Sequence, residues 1–173
     1  MVQIFKERKF KQPESFAFTK ENLQKAKVII KKYPKGRQRS AIMPLLYLVQ
    51  EQNENWIPVA AMDYVAELLE VEPIKVYEVA NFYTMFNKQP VGKHLIQVCR
   101  TTPCQLRGAD KITKACKNKL KIGLGETTAD DKFTLVEVEC LGACVDAPVV
   151  QINNDYHENV DEKSMLDILE KLK

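Results

Sequence analysis

The chain has 173 residues, enough for one good core or for two small domains. With 45% apolar and 28% charged residues it has the balance of a soluble globular protein; its longest uncharged stretch, Ser40 to Gln50, is too short to span a bilayer and contains Pro44. A net charge of +3, with no basic face interleaved with aromatics, argues against nucleic acid as a partner, and the N-terminus lacks the apolar segment and cleavage site of a secretory signal.

The first stretch, MVQIFKERKFKQPESF, is basic and has no clear period: Lys6, Arg8, Lys9 and Lys11 face only Glu7 and Glu14. Residues 1–18 read as an extended arm lying on a partner or in solvent. A mitochondrial presequence is the competing reading, weakened by the shortness of the stretch and its having little Ser or Ala. From Phe18 the pattern is helical. Thr19 is placed to cap, Phe18 and Leu23 stand at staple positions, and Leu23, Ala26, Ile30 and Tyr33 recur on one face before Pro34 and Gly36 stop the run. A second helix is expected near Ser40, with Pro44 in its first turn or kinking it and Leu45, Leu46 and Val49 inside. A third begins at Pro58 and buries Val59, Met62, Val65, Ala66 and Leu69; a fourth begins at Pro73 and runs through Val76, Val79, Ala80 and Tyr83. Four short helices with short connections make a helical bundle over residues 19–90. The NFYTMF stretch, Asn81 to Phe86, reads equally as helix-end core and as docking surface.

Near Pro90 the period changes. Leu95 to Val98 reads as a strand ending at Cys99, Gln105 to Leu120 as a helix, and Phe133 to Glu139 as an alternating strand ending at Cys140. Val149 to Asn153 is a short strand that Asn154-Asp155 turns back into YHENV, and Asp161 to Lys173 is a closing amphipathic helix. The order β-α-β-β-β-α over residues 91–173, with its first two strands parallel, predicts a short mixed sheet with helices packed on it, the thioredoxin-like arrangement.

Five cysteines in a chain without a secretory signal point to metal ligands or reactive thiols, and the odd count leaves at least one apart. Cys99 and Cys104 stand at C-x4-C spacing, Cys140 and Cys144 at C-x3-C spacing. Each pair begins where a parallel strand is expected to end, so both loops leave the same edge of the sheet. Two-plus-two thiolate ligation suits a [2Fe–2S] cluster; structural zinc, which favours tighter C-x2-C turns, and unligated thiols remain open. A dithiol redox site wants C-x-x-C, and a Rieske centre wants two histidines where His94 and His157 lie outside both loops. Cys116 shares a helical face with Ile112 and Leu120 and reads as a small core residue. Gly142 and Ala143 let amides approach sulfur, Thr101 and Thr102 offer hydroxyls, and Ala147–Pro148 is a candidate cis bond. Gly123-Leu124-Gly125 is only a fragment of a dinucleotide fingerprint, follows a helix, and reads as a helix stop.

The C-x4-C…C-x3-C frame, the flanks TTPCQLRGA and VECLGACVDAPVVQIN, and the upstream VYEVANFYTMF closely resemble the NuoE-type family, the small [2Fe–2S] flavoprotein-fraction subunits of respiratory complex I, NADH:ubiquinone oxidoreductase. The resemblance runs from about Asn22 to Lys173. It implies an N-terminal helical bundle followed by a thioredoxin-like [2Fe–2S] ferredoxin domain, with Cys99, Cys104, Cys140 and Cys144 as the ligands of one cluster. It also implies an electron-transfer subunit with no catalytic residue of its own, beside a partner subunit that carries FMN and binds NADH. The place implied is the peripheral arm, on the cytoplasmic side of a bacterial membrane or the matrix side of a mitochondrial one. The equivalent subunit of a soluble NAD-linked formate dehydrogenase or hydrogenase is a sibling reading, and a zinc-stabilised interaction module is the alternative of another class. The chain departs from the family at Arg100, where a small polar residue usually follows the first ligand; a guanidinium facing the sulfurs would favour the reduced form.

Overall fold

The computed structural model describes residues 5, 6 and 8–172, and these divide into two compact units, one formed by Lys9–Pro90 and the other by Val91 onward together with the residues up to Arg8. The first unit is helical: α1 (Lys20–Lys31), α2 (Ile42–Gln52), α3 (Val59–Leu69) and α4 (Pro73–Phe82), with a 3-10 turn at Gln38–Ala41 leading into α2. Thr19 caps α1, its hydroxyl accepting from the Asn22 amide at 3.2 Å. Pro44 lies in the first turn of α2, where its missing N–H costs nothing, and Pro73 opens α4. Pro58 is the cap of α3 and not its first residue; its extended ψ of 158° keeps it outside the helix. Ile42, Leu45, Leu46, Val49, Ile57, Val65 and Val76 are fully buried between these helices, and Phe16, Phe18 and Tyr64 meet edge to face beside them.

The NFYTMF stretch divides. Phe86 is buried while Phe82 is 76% exposed. Gln50 accepts from the Asn87 amide and donates to the Met85 carbonyl, and Asn87 donates to the Asn55 carbonyl, so the loop after α4 is held to the bundle by satisfied polar groups.

The second unit holds β1 (His94–Cys99), α5 (Thr102–Leu106), α6 (Ala109–Leu120), β2 (Glu126–Thr127), β3 (Phe133–Val138), β4 (Val150–Ile152), β5 (Asp155–His157) and α7 (Glu162–Lys171). The sheet order is β2-β3-β1-β4-β5, with β1 and β3 parallel and the other pairs antiparallel. Four differences from the sequence reading have local causes. The helix expected over Gln105–Leu120 is two helices, because Gly108 takes φ +98° and breaks the run; Cys104 thus lies inside the first short helix. The strand expected to end at Glu139 stops at Val138. β2 escapes a reading by period because it has two residues, yet it pairs along the outer side of β3. The last hairpin turns one residue early, at Asn153-Asn154: Asn153 adopts φ +53°, and its side chain accepts from the Leu95 amide and donates to the Lys93 carbonyl, docking the turn on the start of β1.

Ile96, Val98, Ile112, Cys116, Leu135, Met165 and Leu169 form the core under α6 and α7. Asp161 and Ser164 form a reciprocal cap at the start of α7. Of the basic stretch, the Lys6 amide donates to the Gly125 carbonyl, Lys6 pairs with Glu126 and Arg8 with Asp131. Residues 1–4 and 7 of that stretch lie outside the described chain. Among the described residues no helix is long and apolar enough to cross a membrane.

Candidate metal centre

The parallel register sets Cys99, the last residue of β1, opposite Val138, the last residue of β3. Both cysteine loops therefore start at one end of the central strand pair. From Cys99 the chain turns at once into α5. The Gln105 amide donates to the Thr101 carbonyl, and this turn carries Cys104 back toward Cys99, close enough for each thiol to shift the other's pKa. From Val138 the chain runs through Cys140 and Gly142 into a 3-10 turn at Cys144–Asp146. Gly142 takes φ +86°, which only a residue without Cβ adopts freely, and so brings its amide to within 3.3 Å of Cys140 Sγ. Cys140 Sγ and Cys144 Sγ lie 3.5 Å apart. The loop is pinned from β5, where the Tyr156 hydroxyl donates to the Leu141 carbonyl at 2.9 Å.

The four sulfurs differ in surroundings. Cys99 and Cys104 are each 1% exposed and pack in the core, while Cys140 and Cys144 are exposed. Burial pushes the Cys99 thiol up, but the Thr101 hydroxyl, 3.2 Å from Cys99 Sγ, with the Thr101 and Leu141 amides outweighs it and leaves the thiol below its ordinary value. Cys104 is pushed up to about 11 by burial and by Cys99 beside it, against a lowering contribution from the Val149 amide. The Cys144 thiol is raised mainly by its hydrogen bond to Cys140, and the charge of Cys99 also reaches it. The two pairs thus sit within electrostatic reach of each other.

This donor set, four thiols in two pairs, fits a metal centre held by paired thiolates. Two thiolates on one tetrahedral centre at about 2.3 Å stand roughly 3.7 Å apart, close to the separation of the outer pair. The Gly142 amide, 3.3 Å from Cys140 Sγ, and the hydroxyl of Thr101, 3.2 Å from Cys99 Sγ, supply dipoles that thiolate sulfur needs, and the Leu141 and Val149 amides lower the thiol pKa values on the inner side. Thr101 and Gly142 were legible in the sequence. Leu141 and Val149 were not, because a backbone amide carries no residue signature.

Cys116 lies apart, fully buried on α6, with its thiol pushed up to about 12 by burial. His94 and His157 lie in β1 and β5, away from both loops in the chain. The Ala147–Pro148 bond is cis. Arg100 does not carry a lone charge: its guanidinium pairs with Glu139 at 2.8 Å.

The family model of the thioredoxin-like [2Fe–2S] ferredoxins matches residues 26–173, and the chain belongs to that family. Within it, the chain is 58% identical to the E subunit of the NADH-quinone oxidoreductase of Rickettsia bellii (strain RML369-C), over 92% of this chain and 95% of that one. It is 59% identical to the corresponding chain of Rickettsia prowazekii (strain Madrid E), over 91% and 89% of the two chains. It is 53% identical to the mitochondrial NADH dehydrogenase [ubiquinone] flavoprotein 2 of Dictyostelium discoideum, over 91% of this chain and 64% of that one. Among solved structures, an NAD+-reducing [NiFe]-hydrogenase in the air-oxidised state shares the fold at a TM-score of 0.63 and 20% identity, over 73% of this chain and 22% of the hydrogenase chain.

Proposed function

We propose that this chain is the one-electron carrier of the NADH-oxidising module of respiratory complex I, with Cys99 and Cys104 holding one iron of a [2Fe–2S] cluster and Cys140 and Cys144 the other. The observation that carries the reading is the two-plus-two arrangement of thiols at the shared end of β1 and β3, with the Gly142 amide and the Thr101 hydroxyl in contact with sulfur. The high identity to subunits named for NADH-quinone oxidoreductase supports the setting. When bound, such a cluster supplies a site that takes up and releases a single electron. The chain's own work is to hold the sulfurs at fixed spacing, to keep water from the Cys99 and Cys104 side, and to offset thiolate charge with fixed dipoles.

In this reading residues 91–173 are the ferredoxin domain, and residues 19–90, with the arm of residues 1–18, are the docking surfaces. The electron partner is a separate subunit carrying FMN and binding NADH. The assembly places the chain on the peripheral arm, on the cytoplasmic side of a bacterial inner membrane or the matrix side of a mitochondrial one. The test is spectroscopic. The purified chain should show visible absorbance that dithionite bleaches, with an EPR signal on reduction. Alanine at Cys99, Cys104, Cys140 or Cys144 should abolish normal assembly, and alanine at Cys116 should not. A colourless, zinc-loaded protein, or full cluster occupancy in Cys140→Ala, would sink the assignment.

A further inference from the structure

Arg100 follows Cys99 and Glu139 precedes Cys140, so each side chain is rooted one peptide, about 3.8 Å between Cα atoms, from a proposed ligand in a different loop. The ladder between β1 and β3 carries on past its last strand pair: the Arg100 amide donates to the Val138 carbonyl at 3.0 Å. Continuing that register sets Arg100 beside Glu139. Their side chains meet there, Nη2 at 2.8 Å and Nε at 3.2 Å from the same carboxylate oxygen. Two guanidinium donors on one acceptor hold Arg100 in one direction, across the gap between the loops.

The geometry points to Arg100 and Glu139 as a charge-neutral clasp that ties the two cysteine loops together and keeps an unbalanced charge away from the metal centre. The inference rests on the cluster reading above. Neither residue touches a sulfur in any observed contact; both are positioning residues, acting through the cysteines beside them. Their side chains are 49% and 74% exposed, so the attraction between them is worth little as global stability. Its local effect is of another kind. A lone charge beside the centre acts as a monopole on the electron the site accepts, whereas a closed ion pair acts as a dipole, whose field falls off faster and is screened sooner. The pair lets a permanent cation sit next to the first ligand without setting the potential by itself. Glu137, two residues earlier on β3, adds to the negative field at Arg100 and itself accepts from the Thr113 hydroxyl of α6, so the strand end is anchored from the helix side as well.

Four variants of the full chain test this: Arg100→Gln, Glu139→Gln, both together, and the exchanged pair Arg100→Glu with Glu139→Arg. Redox titration followed by EPR, at one fixed salt concentration, reads the midpoint potential. Loss of visible absorbance under a chelator reads retention. Arg100→Gln leaves Glu139 uncompensated and should lower the potential; Glu139→Gln leaves Arg100 uncompensated and should raise it; the double variant should return close to the starting value. Retention should fall in the double variant by about two- to fivefold, the range that an exposed ion pair supports, and should recover in the exchanged pair. Potentials that move in the same direction in both single variants, or that do not move, would overturn the neutral pairing. Unchanged retention in the double variant would overturn the clasp. If a single variant fails to fold, the two neutral double variants still decide the matter through retention. An unsubstituted protein with no dithionite-reducible signal would defeat the cluster reading and this inference together; a normal signal with inert variants would defeat this inference alone.

Discussion

Thr101 and Cys116 show how one residue's surroundings set its chemistry. Thr101 Oγ1 lies 3.2 Å from Cys99 Sγ, and against a thiolate its hydroxyl is the donor. A donor to sulfur favours the state with more negative charge, so Thr101→Val should lower the reduction potential. The shift should be on the order of tens of millivolts, for a change of about 1 kcal/mol or less in a one-electron couple. The comparison requires EPR-monitored titrations of both proteins in the same buffer, and a potential that stays put removes Thr101 from the tuning groups. Cys116 has the opposite character. It is fully buried, and burial holds its thiol at about 12, far from any useful thiolate population. Cys116→Ala should keep the visible spectrum and lose about 1 kcal/mol of stability through the small void it leaves, as read by urea unfolding. Loss of the cluster in a folded Cys116→Ala protein would contradict its placement.

Among the elements, α7 offers the cleanest test of a local rule. Its reciprocal cap has the Ser164 amide donating to Asp161 Oδ1 at 2.7 Å and the Asp161 amide donating to Ser164 Oγ at 2.9 Å. The Ser164 amide and hydroxyl hold the Asp161 carboxyl below the usual aspartate range. The folded state therefore binds that proton more weakly than the unfolded state. Its stabilisation is complete above the ordinary aspartate pKa and is lost as pH falls through the depressed folded value. Asp161→Ala should melt at a lower temperature than the parent at pH 7, and the gap should close under strongly acid conditions. Thermal melts at both pH values check it; an equal gap at both would show that the carboxylate charge plays no part. The break between α5 and α6 teaches a different lesson about elements. Thr102 to Leu106 and Ala109 to Leu120 both have acceptable helical sequences, and only the left-handed Gly108 separates them. A glycine inside a helical pattern is tolerated as often as it breaks one, so its role there is settled by where Cys104 has to go.

For the whole molecule, the decisive expectation is dependence on a second protein. The chain should neither bind nor oxidise NADH when purified alone, because Gly123 and Gly125 follow a helix and form no phosphate cradle. Adding the flavin-carrying subunit should make NADH bleach the visible absorbance. Bleaching of the flavin-free chain by NADH would reveal a nucleotide site in this chain itself. The basic stretch at the start also changes meaning at this scale. Read alone it is an arm lying on a partner or in solvent; in the structure Lys6 and Arg8 lie against the β2 side of the sheet, paired with Glu126 and Asp131.

Periodicity and caps sufficed for most of the helical bundle, since Leu45, Leu46, Val49, Val65 and Val76 recur at helical spacing and helices are made from local contacts; Val59, read as buried, is 44% exposed because it opens α3 at the edge of the bundle. They sufficed as well for the parallel pairing of β1 with β3, and with it for the common end of the sheet where Cys99 and Cys140 emerge. What needed the tertiary structure was everything set by partners distant in sequence. β2 is too short to announce itself without β3, and the last turn falls at Asn153 because the start of β1 offers it hydrogen bonds. The amides of Leu141 and Val149 lower the pKa values of Cys99 and Cys104 only because the chain folds them close to those thiols. Arg100 stands in the sequence as a lone cation beside a cysteine, and its charge is met by a residue 39 positions away. Local pattern records which face of an element is apolar; it does not record which side chain or amide another strand will bring within 3 Å, because that distance belongs to the packing of the whole sheet.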